Sequence, residues 1–148
     1  MPSIIPGYVY SLFAALIVGT IIVAGCSAIM ANVKNTAETQ QLSNIRTYVA
    51  TQSAILIDQA KNSNVNSTLS LSVPTQIGNQ QYWIRIENDS SSAWIEAGLG
   101  NTIVSSGQET YILAQVAAQG TYISSNGGRA FLSCQVEDQT VFLTLTNG

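Results

Sequence analysis

The sequence predicts an α+β protein in which a long N-terminal hydrophobic α-helix precedes a small antiparallel β-sandwich. Three observations support this prediction. Residues 1–33 contain no charged side chain. A helical spacing of apolar residues continues to about residue 61, and from Thr68 onward the spacing changes to the period of two that is typical of half-buried strands. We therefore assign residues 1–61 to a hydrophobic and then amphipathic helix, and residues 62–148 to a β-sandwich outer domain.

The composition excludes several classes of function. Charged residues make up 9% of the chain, against about 25% in an average domain. Uncharged polar residues replace them, with 17 Ser, 13 Thr, 11 Asn and 12 Gln. The chain has no histidine, which excludes His-based catalysis and His-ligated zinc. The net charge is −3, whereas a nucleic-acid-binding domain normally has an excess of basic residues that contact phosphates. We expect no enzymatic activity and no nucleic-acid partner.

The first element is the uncharged run from Tyr8 to Val33. It is longer than the roughly 20 residues that a bilayer span needs, and as a helix it would measure about 39 Å. A domain of this size cannot bury such a helix on all sides. We therefore expect it to be covered by a membrane or by other copies of itself.

Two processing alternatives compete with a helix that is retained in the mature chain. A cleaved secretory signal normally begins with basic residues and has an apolar core of about 7–15 residues, whereas residues 1–7 contain no Lys or Arg and the run here is longer. Lipid attachment at Cys26, after Val23-Ala24-Gly25, would normally be followed by a polar tether, whereas Ala28, Ile29 and Met30 are apolar. We expect the retained helix.

Small residues recur every four positions along this helix, with one interruption at Val23, and such a row lets another helix approach closely. The alternative is chance, because Gly and Ala are common in apolar helices. The candidate helix-packing residues are Gly7, Ser11, Ala15, Gly19, Ser27 and Ala31.

The helix is expected to continue past Val33, because residues 34–62 contain neither Pro nor Gly. Leu42, Ile45, Val49 and Leu56 have the spacing of one helical face. The stretch Ile55-Leu56-Ile57 is apolar on several faces, so we expect that turn to be enclosed. The polar run 62–67 should end the helix. The alternative is a membrane anchor followed by a separate juxtamembrane helix.

The second half of the sequence predicts about seven short antiparallel strands. Apolar residues alternate in four segments, which are Tyr82–Ile86, Ile112–Val116, Leu132–Val136 and Val141–Leu145. Asn126-Gly127-Gly128 predicts a hairpin between residues 121–125 and 129–136. Glu137-Asp138 predicts the turn before the last strand, and Gly98, Gly100 and Gly120 predict further bends.

No constellation of residues indicates catalysis, a cofactor or a metal. The pairs Glu87/Asp89 and Glu137/Asp138 are expected to be solvated turn residues rather than an acid–base pair or a calcium loop. We expect Cys26 and Cys134 to be buried free thiols, because they lie in different modules.

Two positions match the acceptor pattern for N-glycosylation. Asn66 begins Asn66-Ser67-Thr68 and Asn88 begins Asn88-Asp89-Ser90. Both fall at predicted turns, and we favour Asn66 because it lies in the most polar linker. The alternative is that its side-chain amide only ends the helix.

The order of these segments resembles that of archaeal type IV pilins and archaellins. The resemblance depends on the apolar run Tyr8–Val33. It also depends on the segment Val73-Pro74-Thr75-Gln76-Ile77-Gly78, which is followed by Tyr82-Trp83-Ile84. It implies that the helices of many copies form a filament core, that the β-domain faces outward and is often glycosylated, and that the pilus assembly machinery inserts subunits from the membrane.

We therefore expect a structural subunit of an extracellular archaeal type IV pilus-like filament that serves adhesion. An archaellum filament subunit, or an accessory protein of that motor, is the alternative within the same family. A monomeric membrane-anchored β-sandwich that binds a ligand is the alternative from another class, and an exported hydrolase is the least favoured.

Overall fold

A computed structural model of the chain describes residues 4–104, 107–112, 116–137 and 140–148. The chain divides into two compact units, Met1–Ala37 and Glu38–Gly148. The first element, helix α1, runs from Ile4 to Ser63 and contributes to both units.

Helix α1 ends where the sequence becomes rich in Asn and Ser. Asn64 adopts a left-handed conformation with φ of 51°, and its N–H donates to the carbonyl of Ala60 at 2.8 Å. A left-handed residue just beyond a helix is a common way to satisfy a terminal carbonyl, and Asn tolerates it better than most residues. The predicted end of the helix within residues 62–67 agrees with this boundary.

Seven strands follow the helix. Their bounds are β1 Ser67–Leu71, β2 Tyr82–Asn88, β3 Ala93–Leu99, β4 Thr110–Ile112, β5 Ala117–Ile123, β6 Ala130–Glu137 and β7 Thr140–Asn147. They form one hydrogen-bonded sheet in the order β1-β6-β7-β5-β2-β3-β4. Every neighbouring pair is antiparallel except β5 and β7, which are parallel. The α+β class is therefore confirmed, with a mixed sheet.

The sheet differs from the predicted antiparallel sandwich because its second layer is a helix. The described strands belong to a single sheet, and helical residues such as Val49, Leu56 and Ala60 share one hydrophobic core with its apolar face. Alternation in a sequence indicates that one face of a strand is buried, but it does not reveal what covers that face. The amphipathic helix was assigned to the other module, so a second sheet was expected in its place.

The strand pairing also changes the predicted turns. Strand β7 lies between β5 and β6, so the residues around Asn126 do not close a hairpin. They form a short 3-10 helix, Ser124–Asn126, that leads the chain across the end of β7. The hairpin between β6 and β7 is present, with Glu137 opposite Thr140, whereas Asp138 lies outside the described residues.

Two predicted bends also differ. Gly98 lies within β3 and Gly120 within β5, because each glycine makes room for a close neighbour rather than for a turn. A Cβ at Gly120 would lie 2.2 Å from the carbonyl oxygen of Leu145, where β5 approaches β7. Of the strand predicted over Ile112–Val116, Ile112 belongs to β4 and Val116 directly precedes β5, whereas Leu113–Gln115 lie outside the described residues.

The apolar face of the sheet follows the predicted alternation. In register across the sheet lie Leu132 of β6, Leu145 of β7 and Gly120 of β5, and then Ile86 of β2 and Ile95 of β3. The four side chains among them are at most 1% exposed. At roughly 25 cal/mol per Å² of apolar surface removed from water, this face is the main source of stability in the unit.

The helical part of this unit turns its predicted apolar face toward the core. Ile45, Val49 and Leu56 are buried, and Leu42 is half-buried against the same cluster. The expected enclosure of the turn around Leu56 is only partly correct, because Ile55 is 46% exposed while Leu56 is 4% exposed. Residues 38–63 therefore pack as a layer of the β-unit, and not only as an extension of the apolar helix.

Candidate assembly surface

The apolar segment, defined here as residues 7–33, has no cover from the described chain. All of its residues are exposed, including large side chains such as Phe13, Leu16 and Ile29, which are each at least 59% exposed. Among the described residues, α1 is the only helix long and apolar enough to cross a membrane, by length and composition. Such a surface is stable in water only if another apolar surface covers it.

Hydroxyl groups in the apolar segment are satisfied within the helix. Ser11 donates to the carbonyl of Tyr8 at 2.9 Å, Thr20 to that of Ile17 at 2.8 Å, and Ser27 to that of Val23 at 2.9 Å. A hydroxyl that bonds its own helix can enter an apolar environment without losing a hydrogen bond to water. These three polar side chains are therefore compatible with either lipid or a packed helix.

The small residues of the predicted row all lie on the exposed surface. Gly7, Ser11, Ala15, Gly19, Ser27 and Ala31 are exposed. At Gly19 the row forms a shallow notch with walls from Leu16, Thr20 and Val23. No atom lies within 4 Å of a Cβ built at Gly7, Gly19 or Gly25, other than atoms of the local helix. The glycines are therefore not required by packing within the described unit, and their role as contact points for another helix stays a prediction.

The two cysteines differ in exposure. Both are free thiols, but Cys26 is exposed on the apolar segment while Cys134 is buried on the inner face of β6. Burial raises the pKa of Cys134, which keeps its thiol protonated and unreactive. The expectation that both thiols are buried therefore holds within this chain only for Cys134.

A loop to which the sequence pattern gave no role packs against helix α1 at Glu38. A Cβ at Gly78, whose φ is 59°, would lie 2.4 Å from Oε1 of Glu38, so only glycine leaves room for that buried carboxylate. Oε2 of Glu38 accepts a hydrogen bond from Gln80 at 3.2 Å. Ile77 of the same loop is fully buried. The loop therefore packs against the helix at Glu38, the first residue of the second unit.

A second loop, which contains Gln108, bonds to the helix at Arg46. The guanidinium of Arg46 donates to the backbone carbonyl of Gln108 and, at 2.9 Å, to its side-chain oxygen. Arg46 and Glu38 are charged residues, yet each is at most 7% exposed. Sequence periodicity missed them because the loops that cover them lie about 40 and 60 positions further along the chain.

The outer face of β2 and β3 contains a further buried charged residue, Glu96, that the sequence did not reveal. Arg85 donates to Glu96 at 2.6 Å and pairs with Glu87 at 3.1 Å. Its guanidinium carbon lies 6.0 Å from the ring centre of Trp83, which is 1% exposed. Gly98 makes this packing possible, since a Cβ there would lie 2.7 Å from the Trp83 ring.

Glu87 and Asp89 have structural roles at the end of β2, whereas Asp138 of the second predicted pair lies outside the described residues. Glu87 pairs with Arg85 in β2, and Asp89 accepts from the backbone N–H groups of Ser91 and Ser92 at 2.8 and 2.7 Å. These two bonds lower the pKa of Asp89. Among the described residues, no group of three potential metal ligands occurs.

The two candidate glycosylation sites are both exposed but differ in their hydrogen bonds. The Oδ1 atom of Asn66 accepts from the backbone N–H of Val136 at 3.0 Å. Asn88 is held at both ends, because its Oδ1 accepts from Ala118 at 3.1 Å and its Nδ2 donates to the carbonyl of Asp89 at 3.2 Å. N-glycosylation joins the sugar to Nδ2, so this geometry favours Asn66.

Comparison with protein-family models, with curated proteins and with solved structures found no match to this chain.

Proposed function

We propose that this chain is a structural subunit of an extracellular filament of the archaeal type IV pilus kind, and that copies of the apolar segment form the filament core. One observation carries the proposal: residues 7–33 form a helix that is exposed and apolar on every side. A bundle of identical helices would bury that surface, and a membrane would cover it before assembly.

The length of the apolar segment supports a role beyond anchoring. Its 27 residues would extend about 40 Å as a helix, against a hydrocarbon thickness of about 30 Å. No charged residue marks a boundary before Lys34. The rows of small residues supply places for close contact between helices, which a simple lipid anchor does not require.

The chemistry of the second unit supports an outward position. The unit has its own core, and hydroxyl and amide side chains are common on its surface. A surface with few titratable groups changes its charge little with pH, which suits a cell-surface appendage. The glycosylation candidates Asn66 and Asn88 lie on this unit.

Material sheared from cells would test the proposal. We expect electron microscopy to reveal filaments, and mass spectrometry to identify this chain as their main subunit. Recovery of the chain only in the membrane fraction, with no filaments in the sheared fraction, would favour a membrane-anchored binding module instead.

A matched pair of substitutions would separate helix packing from hydrophobicity. Gly19→Leu fills the notch of the small row, whereas Val18→Leu enlarges a neighbouring position outside that row. We expect the first variant to lose most of its filament yield and the second to keep it. Equal yields would exclude the small row as the packing surface.

A further inference from the structure

The outer face of the sheet carries an unpartnered aromatic patch at the β4 edge. Trp94 of β3 lies opposite Glu87 of β2 and Tyr111 of β4, so their side chains share one face. The rings of Trp94 and Tyr111 are 6.3 Å apart, and Tyr111 is 54% exposed. We name Glu87, Asp89, Trp94, Glu109 and Tyr111 the β4-edge face.

This face carries an excess of negative charge. Glu109 accepts from the Tyr111 hydroxyl at 2.5 Å, and the pKa of Tyr111 is raised mainly by Glu109 and also by Asp89. Arg85 is the basic residue at this end of the outer face, and Glu96 and Glu87 already engage it. Aromatic rings beside unneutralised carboxylates attract a cation, because the ring faces and the carboxylates both favour positive charge.

Arg129, whose positive charge complements the β4-edge face, lies at the diagonally opposite corner of the same sheet. Arg129 immediately precedes β6, which is next to the β1 edge, whereas the aromatic patch is at the β4 edge. Strands β6 and β2 run in the same direction, as their pairings through β7 and β5 require. Arg129 is therefore at the end where β2 begins, and the β4-edge face is at the end where β2 finishes.

The Arg129 side chain is available for a partner. It is exposed, and its guanidinium makes no hydrogen bond or ion pair in the part of the chain that the structure describes. Its backbone is held in place, since the carbonyl of Arg129 accepts from the N–H of Gly148 at 2.9 Å. The other arginines of the unit, Arg46 and Arg85, are already bound to Gln108 and to Glu96.

The chain already contains the combination of groups that this contact would use. Arg85 sits beside the Trp83 ring while Glu96 and Glu87 bind its guanidinium. Arginine suits such a site better than lysine, because its planar group stacks on a ring and bonds a carboxylate through two donors.

We propose that the β4-edge face binds Arg129 of a second copy of this chain, in a contact between outer domains that is separate from the helix core. The inference rests on the proposed filament function. The two surfaces are different and lie at opposite corners, so a heterologous contact between them can repeat from copy to copy along the proposed filament. Charge complementarity between the two corners fixes which end of one copy meets which end of the next.

Charge reversal in the full chain tests this contact, with filament yield in the sheared fraction as the measurement. Arg129→Glu and Glu109→Arg each turn one attraction into a repulsion at every repeat, and we expect each to lower the yield roughly fivefold or more. The double variant with both changes restores the attraction in the opposite sense, and its yield should return toward that of the wild type. Lys61→Glu is the matched control, because it reverses one exposed charge at the end of α1 and should leave the yield unchanged.

The outcomes separate this contact from the filament itself. Wild-type filaments together with normal yield from Arg129→Glu would overturn the contact and leave the filament proposal intact. A loss with Glu109→Arg that Arg129→Glu does not reproduce, and that the double variant does not repair, would assign the face to another occupant and also overturn it. Absence of filaments from the wild type would overturn both proposals.

Discussion

Two leucines on one helix show how differently the two units of this protein are built. Leu16 and Leu56 both lie in α1, yet Leu16 is 59% exposed and Leu56 is 4% exposed. The second unit completes its own core by folding a sheet against its part of the helix. Within the described part of the first unit, every residue from 7 to 37 is exposed. We therefore expect the second unit to be stable alone and the first to need an external apolar partner.

The largest effect is expected from a charge in the apolar segment. Ala15→Asp places a carboxylate on the small row, where neither lipid nor a neighbouring helix can solvate it. On insertion scales such a charge costs about 2.5–3.5 kcal/mol at the centre of a span, and the change would recur in every copy of a filament. We expect no filaments from this variant, as judged by microscopy of sheared material. Normal yield would show that this part of the helix stays in contact with water.

A core substitution in the second unit should have a large but local effect. Leu56→Ala removes a buried side chain and should lower the free energy of unfolding by about 2–5 kcal/mol. Ile55→Ala, one position earlier, is the control and should cost less than about 1 kcal/mol, because Ile55 is 46% exposed. Chemical unfolding of a fragment of residues 38–148, followed by circular dichroism, would measure both. Equal losses would mean that the helix does not pack against the sheet.

The stability of a fragment should depend on where it begins. The sequence placed the start of the outer domain at residue 62, whereas the compact unit begins at Glu38. We expect residues 38–148 to be soluble and folded, and residues 62–148 to be much less stable because the face around Val49 would be missing. A stable, β-rich fragment of residues 62–148 would support the original boundary instead.

Much of this architecture was predictable, because local patterns determine it. The apolar helix, its end near residue 63 and the alternation in β2, β6 and β7 all follow from the spacing of side chains. The order of strands was not predictable, since the insertion of β7 between β5 and β6 depends on Gly120 allowing Leu145 to approach. The burial of Glu38 and Arg46 likewise depends on distant loops, which periodicity does not detect.

A single added methyl group at the parallel pair should have an intermediate effect. Gly120→Ala combines a φ of 124° with a Cβ placed 2.2 Å from the carbonyl oxygen of Leu145. Gly127→Ala is the control, because its φ of 64° is also strained but its Cβ would have no neighbour within 4 Å. We expect the control to cost about 1–2 kcal/mol and Gly120→Ala to cost more, as measured by thermal unfolding. A smaller loss at Gly120 would contradict the parallel pairing of β5 with β7.

Alkaline pH should destabilise only the second unit. Burial, followed by the proximity of Tyr122, raises the pKa of Tyr82, whose hydroxyl donates to the carbonyl of Pro74 at 2.5 Å. Because the folded state holds this proton more tightly than the unfolded state does, the stabilisation is complete below the ordinary tyrosine pKa of about 10 and is lost as pH rises above it. Unfolding midpoints measured from pH 7 to 12 should fall above pH 10, and Tyr82→Phe should reduce that fall.

The smallest effect on stability is expected from removal of the sugar acceptor at Asn66. The intact mass of sheared subunits should exceed that of the bare chain, and the added mass should disappear in Asn66→Gln but persist in Asn88→Gln. A mass equal to the bare polypeptide in the wild type would exclude both sites.

The reaction of Cys26 with N-ethylmaleimide, followed by mass spectrometry of intact subunits, would show whether copies of the apolar segment cover one another in a filament. Cys26 is exposed on the apolar segment, and Cys134, buried in the sheet, serves as an internal reference. In sheared filaments free of membrane, we expect that neither thiol reacts, because other copies cover residues 7–33. After mild dissociation that leaves the second unit folded, one adduct should form at Cys26 and none at Cys134. Equally rapid labelling of Cys26 before and after dissociation would contradict the proposal that copies of this helix bury one another.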